Sequence, residues 1–234
     1  MLTEDEAERL LTWLADAVGG LGAARDLPQT LESTARGAVE AIPGTEGAGI
    51  TELFGREQFV ERVATGALPE IVDRLQHELA EGPCPLALAT GRTIRVHDLG
   101  EEYDRWPKLA EAARRENVAA ALCYRLDTRS DKRRMSLNLY ARRPGVFDDE
   151  AVLLGELFAS HASIALAHAQ NSEQLTTALS TRDLIGQAKG ILMERFGIDD
   201  YKAFRMLVES SQNTNLKLVD IATWLTSGVT GAED

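Results

Sequence analysis

The stretch 148–196, DDEAVLLGELFASHASIALAHAQNSEQLTTALSTRDLIGQAKGILMERF, contains no proline, and none follows it to the end of the chain. Asp148 is a suitable N-cap, with Glu150 in the first turn behind it. No glycine falls between Gly155 and Gly186. Leu157, Ile164, Asn171, Ala178, Ile185 and Leu192 recur every seven residues. His161, His168, Leu175, Arg182 and Lys189 form a companion seam, each four residues further on. This is coiled-coil spacing. A single helix of about 45 residues is roughly 65 Å long at about 1.5 Å per residue. Such a helix is too long for one small domain to bury, so the spacing predicts a stalk paired with a second copy. Leu157, His161, Ile164, His168, Asn171, Leu175, Ala178 and Ile185 are the predicted dimerisation residues. The polar members of the seam weaken it, and residues of this kind can fix register and oligomer number.

Upstream, the pattern alternates between helical and extended. Leu10, Leu11, Leu14 and Val18 make a helical stripe over 4–18, closed by Gly19-Gly20. A second helix opens after Asp26 with Pro28 in its first turn and carries Leu31, Ala35, Val39 and Ile42. Gly47–Phe54 and Gln58–Thr65 read as strands around a Gly55-Arg56 turn. An amphipathic helix follows over 69–80, with Ile71, Val72, Leu75 and Leu79 as its apolar stripe. Then come a strand at 93–97, a helix at 106–115, and strands at 119–126 and 135–141 joined by a charged loop. This order predicts an α+β sensor domain, an antiparallel sheet with flanking helices, ahead of the long helix.

The 234 residues carry a net charge of −12, which argues against indiscriminate nucleic-acid binding. The charge is uneven: residues 175–234 hold 6 Lys+Arg against 8 Asp+Glu, a net of −2, leaving −10 for the front. No run of apolar residues approaches the roughly 18 a bilayer span needs. The N-terminus is acidic where a secretory signal is basic. The chain is therefore expected to be cytoplasmic, with no membrane partner. Cys84 and Cys123 form no CxxC pair, and reduced thiols are expected. The four histidines, His77, His97, His161 and His168, fit no metal or catalytic motif, so neither a metal site nor enzymatic activity is predicted.

Beyond the stalk, Gly197 stops the helix and Asp199-Asp200 starts another. Ser210–Asn215 reads as a polar break, and a third helix follows over 216–227. The result is a small all-α module of three helices. Phe196, Tyr201, Phe204 and Trp224 fall on apolar faces and are expected in its core. Gly186 and Gly190 stand four apart inside the first helix, at about 1 kcal/mol each against alanine. Close approach by another helix, in the bundle or in a dimer, is the expected return.

The run Ser180-Thr-Arg-Asp-Leu-Ile-Gly-Gln-Ala-Lys-Gly-Ile-Leu-Met-Glu-Arg195, with Ala203-Phe204, Leu207, Ser211-Gln212 and Asn215-x-Lys217-Leu218, strongly resembles the ANTAR family. The resemblance covers about 50 residues. It implies a dimeric RNA-binding antiterminator acting on stem-loops in nascent transcripts. The front of the chain resembles a GAF domain, through EGPCPLALATGRTIRVHDL (81–99), RWP (105–107) and LNLYARRPGVFDDE (137–150). That resemblance implies an unidentified small molecule bound beside the sheet.

Stem-loops are read through unstacked loop bases and phosphates. The candidate RNA contacts are Arg182, Gln187, Lys189, Gly190 and Arg195 on the first helix, and Ser211, Gln212, Asn215 and Lys217 at the second break. The division expected is a sensor at 1–147, a connecting coiled-coil helix at 148–180 and an RNA-binding module at 181–228. The alternative is a dimeric signalling protein whose C-terminal module binds a protein partner instead of RNA.

Overall fold

The computed structural model describes residues 26–55, 58–127 and 133–227. The helix expected at 4–18, the Arg56 half of the first turn and the centre of the charged loop lie outside them. Helix α1, Leu27–Ala41, begins where Asp26 accepts the Gln29 N–H at 2.9 Å, with Pro28 in its first turn. It ends before Pro43, whose ring disfavours helical backbone at Ile42; that residue is extended. Strands β1 (Gly47–Phe54), β2 (Gln58–Ala64), β3 (Ile94–Val96), β4 (Ala120–Leu126) and β5 (Arg133–Ala141) form one sheet, ordered β2-β1-β5-β4-β3. Every pairing is antiparallel.

Alternation along β5 divides the core. Met135, Leu137 and Leu139 turn to the face covered by α1 and the start of the long helix. Tyr140 packs on the other face, among side chains of α2 (Ala67–Leu79) and α4 (Pro107–Glu116). Cys123 meets α3 (Pro83–Thr90) on that same side. Because both faces are covered, β4 is buried along almost its whole length. A sheet with one wet face would alternate instead.

Helix α3 was not expected. Its sequence, PCPLALAT, is apolar on every side, so it carries no period of 3.6. Gly82 and Gly91, with φ of +129° and +69°, bound it. Helix α2 differs in part: Val72 of the expected stripe is buried and Leu75 and Leu79 pack against the core, but Leu68, Asp73 and Gln76 are buried as well.

Helix α5, Asp149–Phe196, is continuous over 48 residues, and Asp148 Oδ1 accepts the Ala151 N–H at 2.9 Å. By length and composition it could cross a membrane. Its apolar side chains Ala151, Phe158, Ala162 and Leu166 are instead buried against the sheet. Gly155 allows the approach: a β-carbon there would stand 2.1 Å from the Tyr124 hydroxyl.

The chain divides into two compact units, at Gln170 and Asn171. In the second, α6 (Asp200–Thr214) is capped by Asp199, whose carboxylate accepts the Lys202 N–H at 2.8 Å. The expected break at 210–215 is helical as far as Thr214, and Asn215 closes the helix in the left-handed region at φ +54°. Helix α7 spans Leu218–Ser227. Ala188 and Leu192 of α5, Ala203 and Leu207 of α6, and Ile221 and Ala222 of α7 form the bundle core.

Candidate functional site

Beneath the five-stranded sheet lies a buried polar cluster. Asp73 Oδ1 accepts the Tyr140 hydroxyl at 2.5 Å and Asn138 Nδ2 at 2.9 Å. Gln76 Nε2 donates to the same Tyr140 oxygen at 2.6 Å, and Gln76 Oε1 accepts the Cys84 N–H at 2.9 Å. The Cys84 thiol lies 3.2 Å from Ser136 Oγ. Asp73 Oδ2, Asn138 Oδ1 and His77 Nε2 are buried without a partner among the described residues. Buried acceptors are normally bonded, so two in one cluster mark the place. Oδ2 has room because Gly49 has no side chain; a β-carbon there would sit 2.2 Å away.

Burial dominates the electrostatics. It raises the Asp73 carboxyl to about 7, against the two hydrogen bonds that lower it. It lowers His77, stacked on Phe59 at 4.7 Å between centroids, to about 4. The Cys84 thiol is pushed up to about 12 by burial and then by the charge of Asp73, and Cys123 is raised too. Neither thiol is a ready nucleophile. Polarity in α2 and β5 at 73, 76, 136 and 138 was the signal; read along the chain, it looked like a solvent face.

In the helical module the predicted RNA contacts separate. Arg182, Arg195 and Lys217 carry no ion pair among the described residues. Lys189 does: it joins Asp200, linking α5 to the start of α6. Gln187 is exposed but stands two residues from Lys189, about 200° around the helix and hence on the far side. Gly190 is exposed, and a β-carbon at Gly186 or Gly190 would meet nothing within 4 Å. The expected packing of these glycines inside the bundle is absent among the described residues. The Ser211 hydroxyl donates to the Leu216 carbonyl at 2.6 Å and so holds the turn after α6. Gln212 and Asn215 are exposed, with no hydrogen bond to their side chains among the described residues.

The aromatics are a correction. Trp224 is 75% exposed, Tyr201 69%, Phe196 56% and Phe204 41%, so none is a core residue. Ala188, Ala203 and Ala222 are fully buried where the helices meet. Small residues at that contact bring the helices close together and leave the rings outside.

Along the stalk, Ile164, His168, Asn171, Leu175 and Ala178 are exposed, while Leu157 and His161 are half-buried. The His161 ring nitrogen Nδ1 lies 2.9 Å from the Leu157 carbonyl. Ile185 packs against the bundle core instead of standing free. Leu179, outside the predicted seam, is 61% exposed.

Two family models match. The GAF domain model covers residues 24–167 and the ANTAR domain model residues 173–225. No curated protein matches the chain. Solved structures are similar in fold at low identity. One is a free methionine-R-sulfoxide reductase from Neisseria meningitidis in complex with its substrate: 18% identity, TM-score 0.55, 74% of this chain and 96% of that one. Another is the GAF domain of an Acinetobacter phosphoenolpyruvate-protein phosphotransferase: 17% identity, TM-score 0.55, 71% of this chain and 98% of that one. The corresponding GAF domain from Coxiella burnetii gives 19% identity, TM-score 0.54, 72% of this chain and 98% of that one. The chain thus belongs to the GAF domain family over residues 24–167 and carries an ANTAR domain at 173–225, both regulatory modules, with helix α5 running through the junction.

Proposed function

We propose that this protein is a cytoplasmic, dimeric, signal-responsive regulator that binds stem-loops in nascent transcripts and promotes antitermination under control of its GAF domain. The observation that carries the reading is the ANTAR match together with three unpaired cations, Arg182, Arg195 and Lys217, on a module that is otherwise near neutral. Cations without a carboxylate partner are available to phosphates at no cost in broken ion pairs. Lys189 takes part only by leaving Asp200. The working division is sensor 1–147, connecting helix 148–180 and RNA module 181–228. Dimerisation uses Ile164, His168, Asn171, Leu175 and Ala178, where apolar surface is left uncovered, with Leu157 and His161 at the edge.

The sensor ligand sits between α2 and the sheet in this reading. Asn138 Oδ1 offers an acceptor, and Asp73 Oδ2, on a carboxyl raised to about 7, offers an acceptor or a proton, which suits a small polar molecule. One of the fold neighbours, the free methionine-R-sulfoxide reductase, is an enzyme. Here the thiols are buried and held protonated, which supports sensing over catalysis. The test is retardation of a two-hairpin RNA by the full chain. With six unpaired cations in a dimer, affinity falls on the order of a thousandfold between ~50 and ~200 mM salt. A second reading, docking on a protein, is favoured by the exposed Trp224 and Phe196. It predicts no RNA retardation and weak salt dependence.

A further inference from the structure

One face of α6 carries exposed aromatic rings and an exposed carboxamide. Tyr201, Phe204, Val208 and Gln212 follow one another at steps of three and four residues, which places them in a single row, and Asn215 closes the helix three residues further on in the left-handed region. From Tyr201 to Gln212 the row covers about 16 Å at ~1.5 Å per residue. Two rings come first, then a half-buried valine, then two exposed carboxamides. Lys217, an unpaired cation, stands just beyond. Arg205, beside the row, is held by Glu209 at 2.6 Å and is not free.

Single exposed apolar side chains are ordinary. Two aromatic rings one turn apart, continued along the same face by one carboxamide without a partner and followed by a second at the end of the helix, are a more particular combination. The bundle core uses Ala203 and Leu207, on another side of the same helix, so the rings lie outside it. A flat ring is a stacking platform that any unpaired base can use. A carboxamide offers a donor and an acceptor together, which suits the edge of a base. A cation at the end of the row suits the phosphate of the same strand. Protein interfaces also favour aromatic rings, but nothing in them requires edge-reading amides in line with a terminal cation.

We infer that this row is where the module reads unpaired loop bases. Tyr201 and Phe204 stack on successive bases, Gln212 and Asn215 bond their edges, and Lys217 holds the backbone. The inference rests on the RNA reading above and adds the recognition surface to it. It places base recognition on α6 and its end, whereas the sequence had placed five of the nine contacts on α5.

The test uses the full-length protein and a pool of RNA hairpins that share one stem and have randomised loops. The hairpin retained by the wild type is remade with abasic sites in its loop. Tyr201→Ala/Phe204→Ala binds the intact hairpin at least tenfold more weakly, in line with the stacking contribution of a base, with unchanged melting temperature and molecular mass. The abasic hairpin weakens the wild type to the level of the variant and weakens the variant no further. Phe204→Tyr, which keeps a ring, retains binding. Lys217→Ala weakens the intact and abasic hairpins equally. Wild-type affinity in the double variant overturns the inference and leaves the RNA reading standing. So does a fall in molecular mass, which would make the rings a contact between copies. Retention of no hairpin by the wild type overturns both.

Discussion

Tyr140 on β5 donates its hydroxyl to Asp73 Oδ1 on α2 at 2.5 Å, and both side chains are fully buried. The bond ties a helix to the sheet through a carboxyl that burial holds near pKa 7, up from 3.8. A raised carboxyl keeps its proton in the folded chain where the unfolded chain has lost it. Stability from this group is therefore fully present below about pH 4 and is lost as pH rises through about 7. His77, lowered to about 4, works in the opposite sense, adding stability as pH rises from about 4 to about 6.5. Asp73→Asn removes only the first effect. Its melting temperature relative to wild type should climb steadily from about pH 4 to about pH 7. A difference that is constant over that range would contradict the assignment.

Gly155 and Tyr124 give a second prediction. Gly155→Ala gains about 1 kcal/mol of helix propensity. The new β-carbon, 2.1 Å from the tyrosine oxygen, forces α5 off β4 or displaces the Tyr124 hydroxyl from the Val152 carbonyl. Overpacking of this kind costs about 1–3 kcal/mol. Net destabilisation by denaturant titration is expected, and Tyr124→Ala in the same chain should restore the helix gain.

Gly186 and Gly190 should behave in the reverse way. A β-carbon meets nothing at either position, so each alanine should stabilise the chain by about 1 kcal/mol. If these glycines make way for RNA or a second copy, the doubly substituted protein melts higher yet binds RNA less well or dissociates. Higher stability with unchanged binding and mass would leave the glycines without a role in either contact.

Much of the sensor was legible because Asp26, Gly44 and Gly55 punctuate it and its strands are rich in Ile, Leu, Val and Tyr. Helix α3 was hidden because PCPLALAT is apolar all round and offers no period. The Asp73 cluster was hidden because a polar side chain facing inward looks, along the chain, like one facing water. In α6 two apolar rows overlap. Tyr201, Ala203, Phe204, Leu207 and Val208 read together as one apolar face, and of these only Ala203 and Leu207 enter the core. Only the alanines of three helices meeting at one place decide between them. The ANTAR motif was readable as a motif, but which of its cations are already paired was not.

The ion pairs divide those cations experimentally. Removing Lys217 or Arg195 should lower the slope of log affinity against log salt by about 0.7–0.9 for each phosphate no longer neutralised, without a change in melting temperature. Asp200→Asn should release Lys189 and strengthen RNA binding, at a stability cost below about 1 kcal/mol for a pair that is largely at the surface. Weaker RNA binding in Asp200→Asn would show that the pair serves to hold the binding surface in place.

Leu175, 66% exposed on the stalk, tests the dimer. Leu175→Asp places like charges across the predicted seam, and light scattering should then give half the wild-type mass with the fold intact by circular dichroism. An unchanged mass would move the interface elsewhere.

RNA binding by the full-length protein is tested most directly by a mobility shift of a two-hairpin RNA across a salt series. A retarded complex is expected, with an affinity that falls steeply with salt and that Arg195→Ala weakens. The absence of any retarded complex at low salt, with or without a small molecule that stabilises the sensor, would contradict RNA binding as the output of this protein.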